Sequence, residues 1–401
     1  MIVQNDEVLA LLAELTTLAG REDPYPRFDR MRRISPVLRA DDGALVVTHH
    51  ADCAALVRDQ RLGHMPPDML AFLGFPNWAE HPALRMLFTS MLVANPPEHT
   101  RLRRLVSSAF TARRVAALRP AIEAMVDDLL DGLSDRADSG ADLVDAFAFP
   151  LPVTVIGELL GVPAADRPRF KTLIRDWTQV LEVINTDVLA TADPAATTVR
   201  GYLAGLAAER RRDPGDDLLS ALVAVDGLTD DEVLTMAALL FAAGFETTTN
   251  LLANSVVALL RHPEAFARLR DEPSLAAPAV EELLRYDSPV QIVSRLVNEP
   301  VELGGVPIAA GERVVGYLGA GNRDPKRFDD AESLLLDRAD NAPLSFGGGI
   351  HYCLGAPLAR LEAQVALPAL ARRFPGLALD GDPVRRDSLS IRGYLAVPVS
   401  T

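Results

Sequence analysis

A mainly α chain with a minor β part is expected from three features of these 401 residues. The first is an apolar span from Val233 to Leu260 whose only charge is Glu246. The second is a series of further segments with amphipathic helical spacing, and the third is that strand signals are few and short. No internal repeat or Gly/Ser linker interrupts the chain, so residues 1–401 read as a single domain. Its β character is expected at about 36–50, 290–320 and 376–401.

In chain order, Ala44 to Thr48 is the first strand signal, followed by helical patterns at 98–112, 115–134, 152–161, 166–183 and 192–212. Thr229-Asp-Asp-Glu232 then forms a capping box, and Pro263 ends what it starts. Residues 230–262 therefore make one helix of about 50 Å, at about 1.5 Å per residue. That length would also cross a bilayer, but Gly244, Glu246, Thr247, Thr248, Thr249, Asn250 and Asn254 place polar groups in its middle. A buried central helix of a large domain is the better reading. A helix at 276–286 follows, then strands at Val290–Leu296, Val301–Leu303 and Val314–Leu318, and a last helix at 355–373.

Composition narrows the function. Forty Lys plus Arg against 55 Asp plus Glu give a formal charge of −15, which argues against a nucleic-acid footprint. A hydrophobic share of 49% excludes a disordered tail protein, and two cysteines exclude a disulfide scaffold. The N-terminus, Met1-Ile-Val-Gln-Asn-Asp-Glu, carries acids where a secretory signal needs cations, so a cytoplasmic protein with no membrane segment is expected. Lysine occurs only at Lys171 and Lys326. With the Ala, Gly and Pro abundance, this reads as codon bias of a GC-rich bacterium.

The sharpest local signal is Phe346-Gly-Gly-Gly-Ile-His-Tyr-Cys353-Leu-Gly. Successive glycines let backbone approach something flat and bulky, and Cys353 stands at the mouth of a helix beginning near Leu354. Helix N-terminal N–H groups and the positive dipole end favour a thiolate there, whereas Cys53, in a plain Ala-rich helix, reads as a small core residue. A cysteine nucleophile would need a partner His and an oxyanion hole, and zinc would need further ligands at short spacing; neither pattern is visible. One cysteinate as the sole protein ligand points to haem iron.

Phe346 to Gly355 resembles the haem-binding signature of the cytochrome P-450 family, F-G-G-G-x-H-x-C-x-G. Glu282-Leu-Leu-Arg285 resembles the family's E-x-x-R, and Ala243-Gly-Phe-Glu-Thr-Thr248 its oxygen-binding A-G-x-[DE]-T-T. In order and together these motifs cover the chain from about residue 95 to the end. The resemblance implies the cytochrome P-450 fold, a long central helix over a haem held by a proximal Cys loop. It also implies haem b as cofactor with Cys353 as axial thiolate, Phe346, Gly347 and Gly355 in the cofactor loop, and dioxygen as co-substrate.

Ala243 and Thr247 stack on one helix face, while Gly244 costs about 1 kcal/mol relative to Ala in a helix interior, which a groove beside the iron would offset. The resemblance makes Glu246 and Thr247 an acid–alcohol pair relaying protons to oxygen. Buried propionates need partners; by resemblance these are His99, Arg103, Arg295 and His351. Glu282, Arg285 and Arg338 resemble the family's buried structural charge triad. Asn95 stands where relatives often carry Asp.

The implied reaction is monooxygenation of a small molecule, free or carrier-protein-bound, by a monomer fed through a ferredoxin and an NAD(P)H-dependent reductase. Arg101, Arg104, Arg113, Arg114 and Arg360 form the candidate docking patch. By analogy Met86, Leu87, Phe88, Trp177, Leu240, Val290, Gln291, Ile292 and Ile391 line the substrate pocket, which suits hydroxylation or epoxidation of a bulky apolar polyketide, macrolide or modified peptide. The competing readings are oxidative coupling or desaturation by the same oxidant, and a non-enzymatic haem-thiolate sensor.

Overall fold

The computed structural model of the protein describes residues 1–135 and 140–401. Local chemistry sets where its helices begin. The Glu232 carboxylate accepts from the Thr229 amide at 2.8 Å while the Thr229 hydroxyl accepts from the Glu232 amide at 3.3 Å. From that reciprocal cap the central helix runs Asp230–Leu260, two residues short of the expected end, because Pro263 opens a new helix, Pro263–Asp271. The helix expected from 192 begins earlier, at Thr186, since the Asn185 side chain caps the Val188 amide at 2.8 Å.

Two expected helices are broken. The 115–134 segment divides into Ala112–Ala117 and Arg119–Ser134. The 166–183 segment becomes a 3-10 turn Ala164–Arg169, an α-helix Phe170–Thr178 and a second 3-10 turn Gln179–Leu181. Pro168 lies in the first turn and has no N–H to give to an α ladder. The others are found as Glu98–Ala109, Pro150–Leu160, Ala276–Tyr286 and Ala356–Arg373. Helices Asp6–Leu15, Tyr25–Ile34 and Pro82–Phe88 lie outside the sequence expectations, and His50–Arg58 is the Ala-rich helix expected around Cys53.

The β segments expected near 36–50 and 290–320 join in one six-stranded sheet, except Val301–Leu303, which forms a separate two-stranded sheet with Val306–Ile308. The order of the six is Ile2–Val3, Val37–Arg39, Leu45–Val47, Arg313–Tyr317, Ile292–Val297, Leu62–Gly63. Arg295 lies opposite Val314 in one antiparallel pair, and its strand also pairs antiparallel with Leu62–Gly63 through Val297 and Leu296, so the strand carrying Arg295 is paired on both sides. Near the C-terminus Ala378–Leu379 pairs with Pro398–Ser400, and Val384–Arg385 with Tyr394–Ala396. Gly304 and Gly305, at φ +57° and +72°, make the two-residue turn of the hairpin Val301–Ile308, where paired positive φ matches strand twist.

Contacts divide the chain into two compact units, Met1–Gly63 with Ala121–Ala148 and Thr247–Thr401, and His64–Pro120 with Phe149–Glu246. The first holds a core of Val37, Leu45, Leu56 and Val314 around Cys53, whose thiol lies 3.6 Å from the carbonyls of Val47 and Tyr317. Burial pushes that thiol's pKa up, as suits a core cysteine. The second has an aromatic core in which Phe241 meets Phe170 edge-on at 4.7 Å and Phe245 at 5.6 Å. The central helix is long and apolar enough to cross a membrane by length and composition, yet most of its apolar stretch is buried inside the protein.

Candidate functional site

In the first unit the glycine run shapes the loop that carries Cys353. Gly347 and Gly349 adopt φ of +67° and +60°, the left-handed region open to glycine. Gly348 is extended, and a Cβ there would come within 2.8 Å of Val57 Cγ2. The 3-10 turn Gly349–His351 then delivers Cys353, whose amide donates to the Phe346 carbonyl at 3.0 Å and closes the loop. The following helix starts at Ala356 behind Gly355, within a residue of the expected start, so Cys353 stands just ahead of its N-terminus. Cys353 is half-buried where Cys53 is fully buried. Phe346, Gly347, His351 and Gly355 are also half-buried.

Arg295 is a strong electrostatic signal in this unit. It is 7% exposed, yet its guanidinium donates only to the Ser294 carbonyl, at 2.8 Å, and meets no carboxylate among the described residues. Burial pulls its pKa down to about 10. A buried cation without an anion is costly, so the position fits an anionic group brought by a ligand.

The triad is brought together. Glu282 and Arg285 are wholly buried and pair through two 2.8 Å bonds, and Arg338 Nε lies 3.0 Å from Glu282 Oε2. Asn341 donates to the same oxygen and the Leu335 amide to the other, while Arg285 also reaches the carbonyls of Asn322, Ala331 and Ser333. Both Glu282 oxygens and every Arg285 nitrogen are used, which is what lets a buried ion pair persist. Sequence reasoning missed Asn341, which carries no motif of its own.

On the central helix, Ala243 is exposed and Thr247 half-buried, although their neighbours Ala242, Phe245, Glu246 and Thr248 are buried. The two sit one turn apart and mark an open strip on a buried helix. The gap expected at Gly244 is different. A Cβ there would meet Ile156 Cγ1 at 2.6 Å, so this glycine admits the side chain of the helix Pro150–Leu160. The open strip belongs to Ala243 and Thr247, and Gly244 is a packing position. On the helix Glu98–Ala109, His99 is 2% exposed and Arg103 half-buried; burial first and Arg103 second lower the His99 pKa, favouring its neutral form. Asn95 accepts from the His64 amide and donates to its carbonyl, both at 2.8 Å, a pairing an ionised Asp would lose by half.

The expected pocket residues separate by burial. Met86, Leu87, Trp177 and Leu240 are buried, and the Trp177 indole donates to the Ala83 carbonyl at 3.2 Å. Gln291 donates its Nε2 to the Ser288 carbonyl at 2.7 Å, while its buried Oε1 has no hydrogen-bond partner among the described residues and fills the space where a Cβ at Gly319 would stand. Phe88, Val290, Ile292 and Ile391 are half-buried, and Val290 and Ile391 are joined by a β-bridge. Of the expected docking arginines, Arg101 is tied to Glu98 and Glu232 and Arg360 to Glu281, whereas Arg104 and Arg113 are exposed.

The donor set fits a haem: one soft cysteine ligand at a helix mouth, a buried cation lacking an anion, and an open strip on the central helix. The family model described as Cytochrome P450 matches residues 71–390. This chain is a member of the cytochrome P450 family. It is 41% identical over 395 residues to cytochrome P450 monooxygenase PikC of Streptomyces venezuelae, covering 94% of this chain and 91% of that one. It is also 41% identical over 398 residues to 6-deoxyerythronolide B hydroxylase of Saccharopolyspora erythraea, with 94% and 96% covered. Among solved structures, P450BioI in complex with an acyl carrier protein bearing hexadec-9Z-enoic acid superposes with a TM-score of 0.90 at 35% identity, covering 96% of this chain and 99% of that one. The P450 is therefore a monooxygenase of haem-thiolate type, mainly helical with small sheets.

Proposed function

We infer that this P450 hydroxylates or epoxidises a bulky apolar secondary metabolite of polyketide, macrolide or modified-peptide type, as one cytoplasmic catalytic domain of 401 residues. The observation that carries the substrate reading is the coverage and identity shared with 6-deoxyerythronolide B hydroxylase. Bound haem would supply dioxygen activation. Cys353 would hold its iron and raise electron density on it, Arg295 and Arg103 would neutralise its propionates, and His99 and His351 would hydrogen-bond them.

Around that chemistry the chain's own residues divide the work. The strip at Ala243 leaves room on the central helix, because a side chain larger than methyl would fill it. Glu246 is 6% exposed and Thr247 adjoins it in sequence, so the pair sets a carboxyl group next to a hydroxyl where bulk water is scarce. Thr247 presents its hydroxyl proton on the open strip, and Glu246 replenishes it. Electrons come from a ferredoxin and its reductase, and the protein acts as a monomer.

The test is a screen of polyketides, macrolides and peptides for ligands that move the ferric band from low to high spin, followed by product masses under turnover with a surrogate ferredoxin. A gain of one oxygen atom supports the reading. Loss of two hydrogens would replace it with desaturation or coupling, and high-spin ligands without any turnover would favour a sensor.

A further inference from the structure

A cavity of about 820 Å³ opens on the first unit, within the range of about 300–1,000 Å³ typical of small-molecule sites. None of its lining residues belongs to the cysteine loop or to the motifs described above. Part of its wall is self-contained. Asp287, 7% exposed, receives Arg392 at 2.6 Å and Arg385 at 3.1 Å. Arg323 lies between the rings of Tyr25 and Tyr286, 3.7 and 3.9 Å from their centroids, and donates to the Tyr286 carbonyl. These groups satisfy one another and make a rigid cationic floor.

Two residues of the lining carry groups that are not satisfied. Tyr394 is 3% exposed, and its hydroxyl has no hydrogen-bond partner among the described residues, although Arg385 stacks on its ring at 3.8 Å. A buried hydroxyl left unpaired carries a desolvation cost that a bound acceptor would remove. The Arg261 guanidinium, at the end of the central helix, makes no ion pair or hydrogen bond among the described residues and acts electrostatically on the Tyr394 phenol. A neutral O–H donor beside a free cation selects an anionic oxygen, above all a carboxylate. Elsewhere in the lining, Glu22 and Asp23 are exposed carboxylates with no cation partner among the described residues, and Val257 and Ala258, both nearly buried, stand among its apolar members.

We propose that this cavity binds a small zwitterion with an apolar side chain, a free amino acid or short peptide, at a site separate from the haem. Its carboxylate meets the Tyr394 hydroxyl and Arg261, its ammonium meets Glu22 and Asp23, and its side chain lies on Val257 and Ala258. The reading does not depend on the substrate proposed above.

Calorimetric titration of the haem-loaded protein with L-leucyl-L-leucine, its N-acetyl derivative and its C-terminal amide tests each end separately. The free dipeptide is expected to bind saturably at one site, with each blocked form weaker by about tenfold, the loss of one charge-assisted contact. Tyr394→Phe, which keeps the ring under Arg385, and Arg261→Gln, an exposed position, should each weaken the free dipeptide at least about threefold and leave the ferric haem spectrum unchanged. Absence of saturable binding at millimolar dipeptide overturns the proposal. So does equal binding of all three forms, undiminished binding by both variants, or a dipeptide-induced spin shift that places the ligand at the haem.

Discussion

Arg295 is held below its ordinary pKa by burial alone, with a single backbone carbonyl for company, so its surroundings make sense only with an anion beside it. Arg295→Leu should lower haem retention at least about tenfold in a competition with apomyoglobin, since a charged hydrogen bond is worth about 1.5–3 kcal/mol. Unchanged retention would remove its propionate role. Thr247→Ala should keep the ferric spectrum while diverting electrons to hydrogen peroxide, measured as peroxide formed per NAD(P)H consumed; tight coupling in the variant would end the proton-relay reading. Glu362 is a residue the sequence did not single out. It is 1% exposed on the helix following Cys353, Oε2 has no partner among the described residues, and burial holds its pKa well above the ordinary 4.5. The folded carboxyl stays protonated while the unfolded one ionises above pH 4.5, so the folded state binds more protons and stability falls as pH rises, by up to about 1.4 kcal/mol per unit. Glu362→Gln should therefore gain melting temperature over the parent increasingly from pH 5 to 7, and a constant difference would show the carboxyl ionised in the fold.

At the scale of elements, close glycine contacts decide geometry that motifs describe only as letters. Gly244 belongs to the motif that resembles an oxygen site, yet its missing Cβ admits Ile156. Gly244→Ala should destabilise by about 1–3 kcal/mol through overpacking, and the double variant with Ile156→Val should recover part of that loss in chemical denaturation. No recovery would mean that the helix–helix contact is not what requires glycine. The central helix was legible because its capping box and Pro263 are local signals. The strand bearing Arg295 was legible as a strand but not in its place, because its partners Leu62–Gly63 and Arg313–Tyr317 come from distant sequence. Cys353, Glu282 and Arg285 were readable from motif spacing. Asn341 and the Tyr394 cavity were not, since each is assembled by pairings that no local periodicity encodes.

Over the whole molecule a charge of −15 says little about where a reductase partner docks. The structure sharpens the candidate patch by neutralising Arg101 and Arg360 through carboxylates and leaving Arg104 and Arg113 exposed. Reversing both, Arg104→Glu with Arg113→Glu, should raise the ferredoxin concentration for half-maximal turnover by about tenfold at low salt with kcat little changed, and the difference should fade as ionic strength rises. A salt-independent change, or none, would move docking elsewhere.

The loop around Cys353 is usually thought of as facing its cofactor, but its glycines are also constrained from behind. A Cβ at Gly348 would strike Val57, and one at Gly349 would lie 2.7 Å from the Val57 carbonyl. The loop and the end of helix His50–Arg58 therefore form one interlocking part, drawn from positions almost three hundred residues apart. Chimeras that graft residues 346–355 into a relative should inherit the spectrum of this protein only when positions 57 and 58 travel with them.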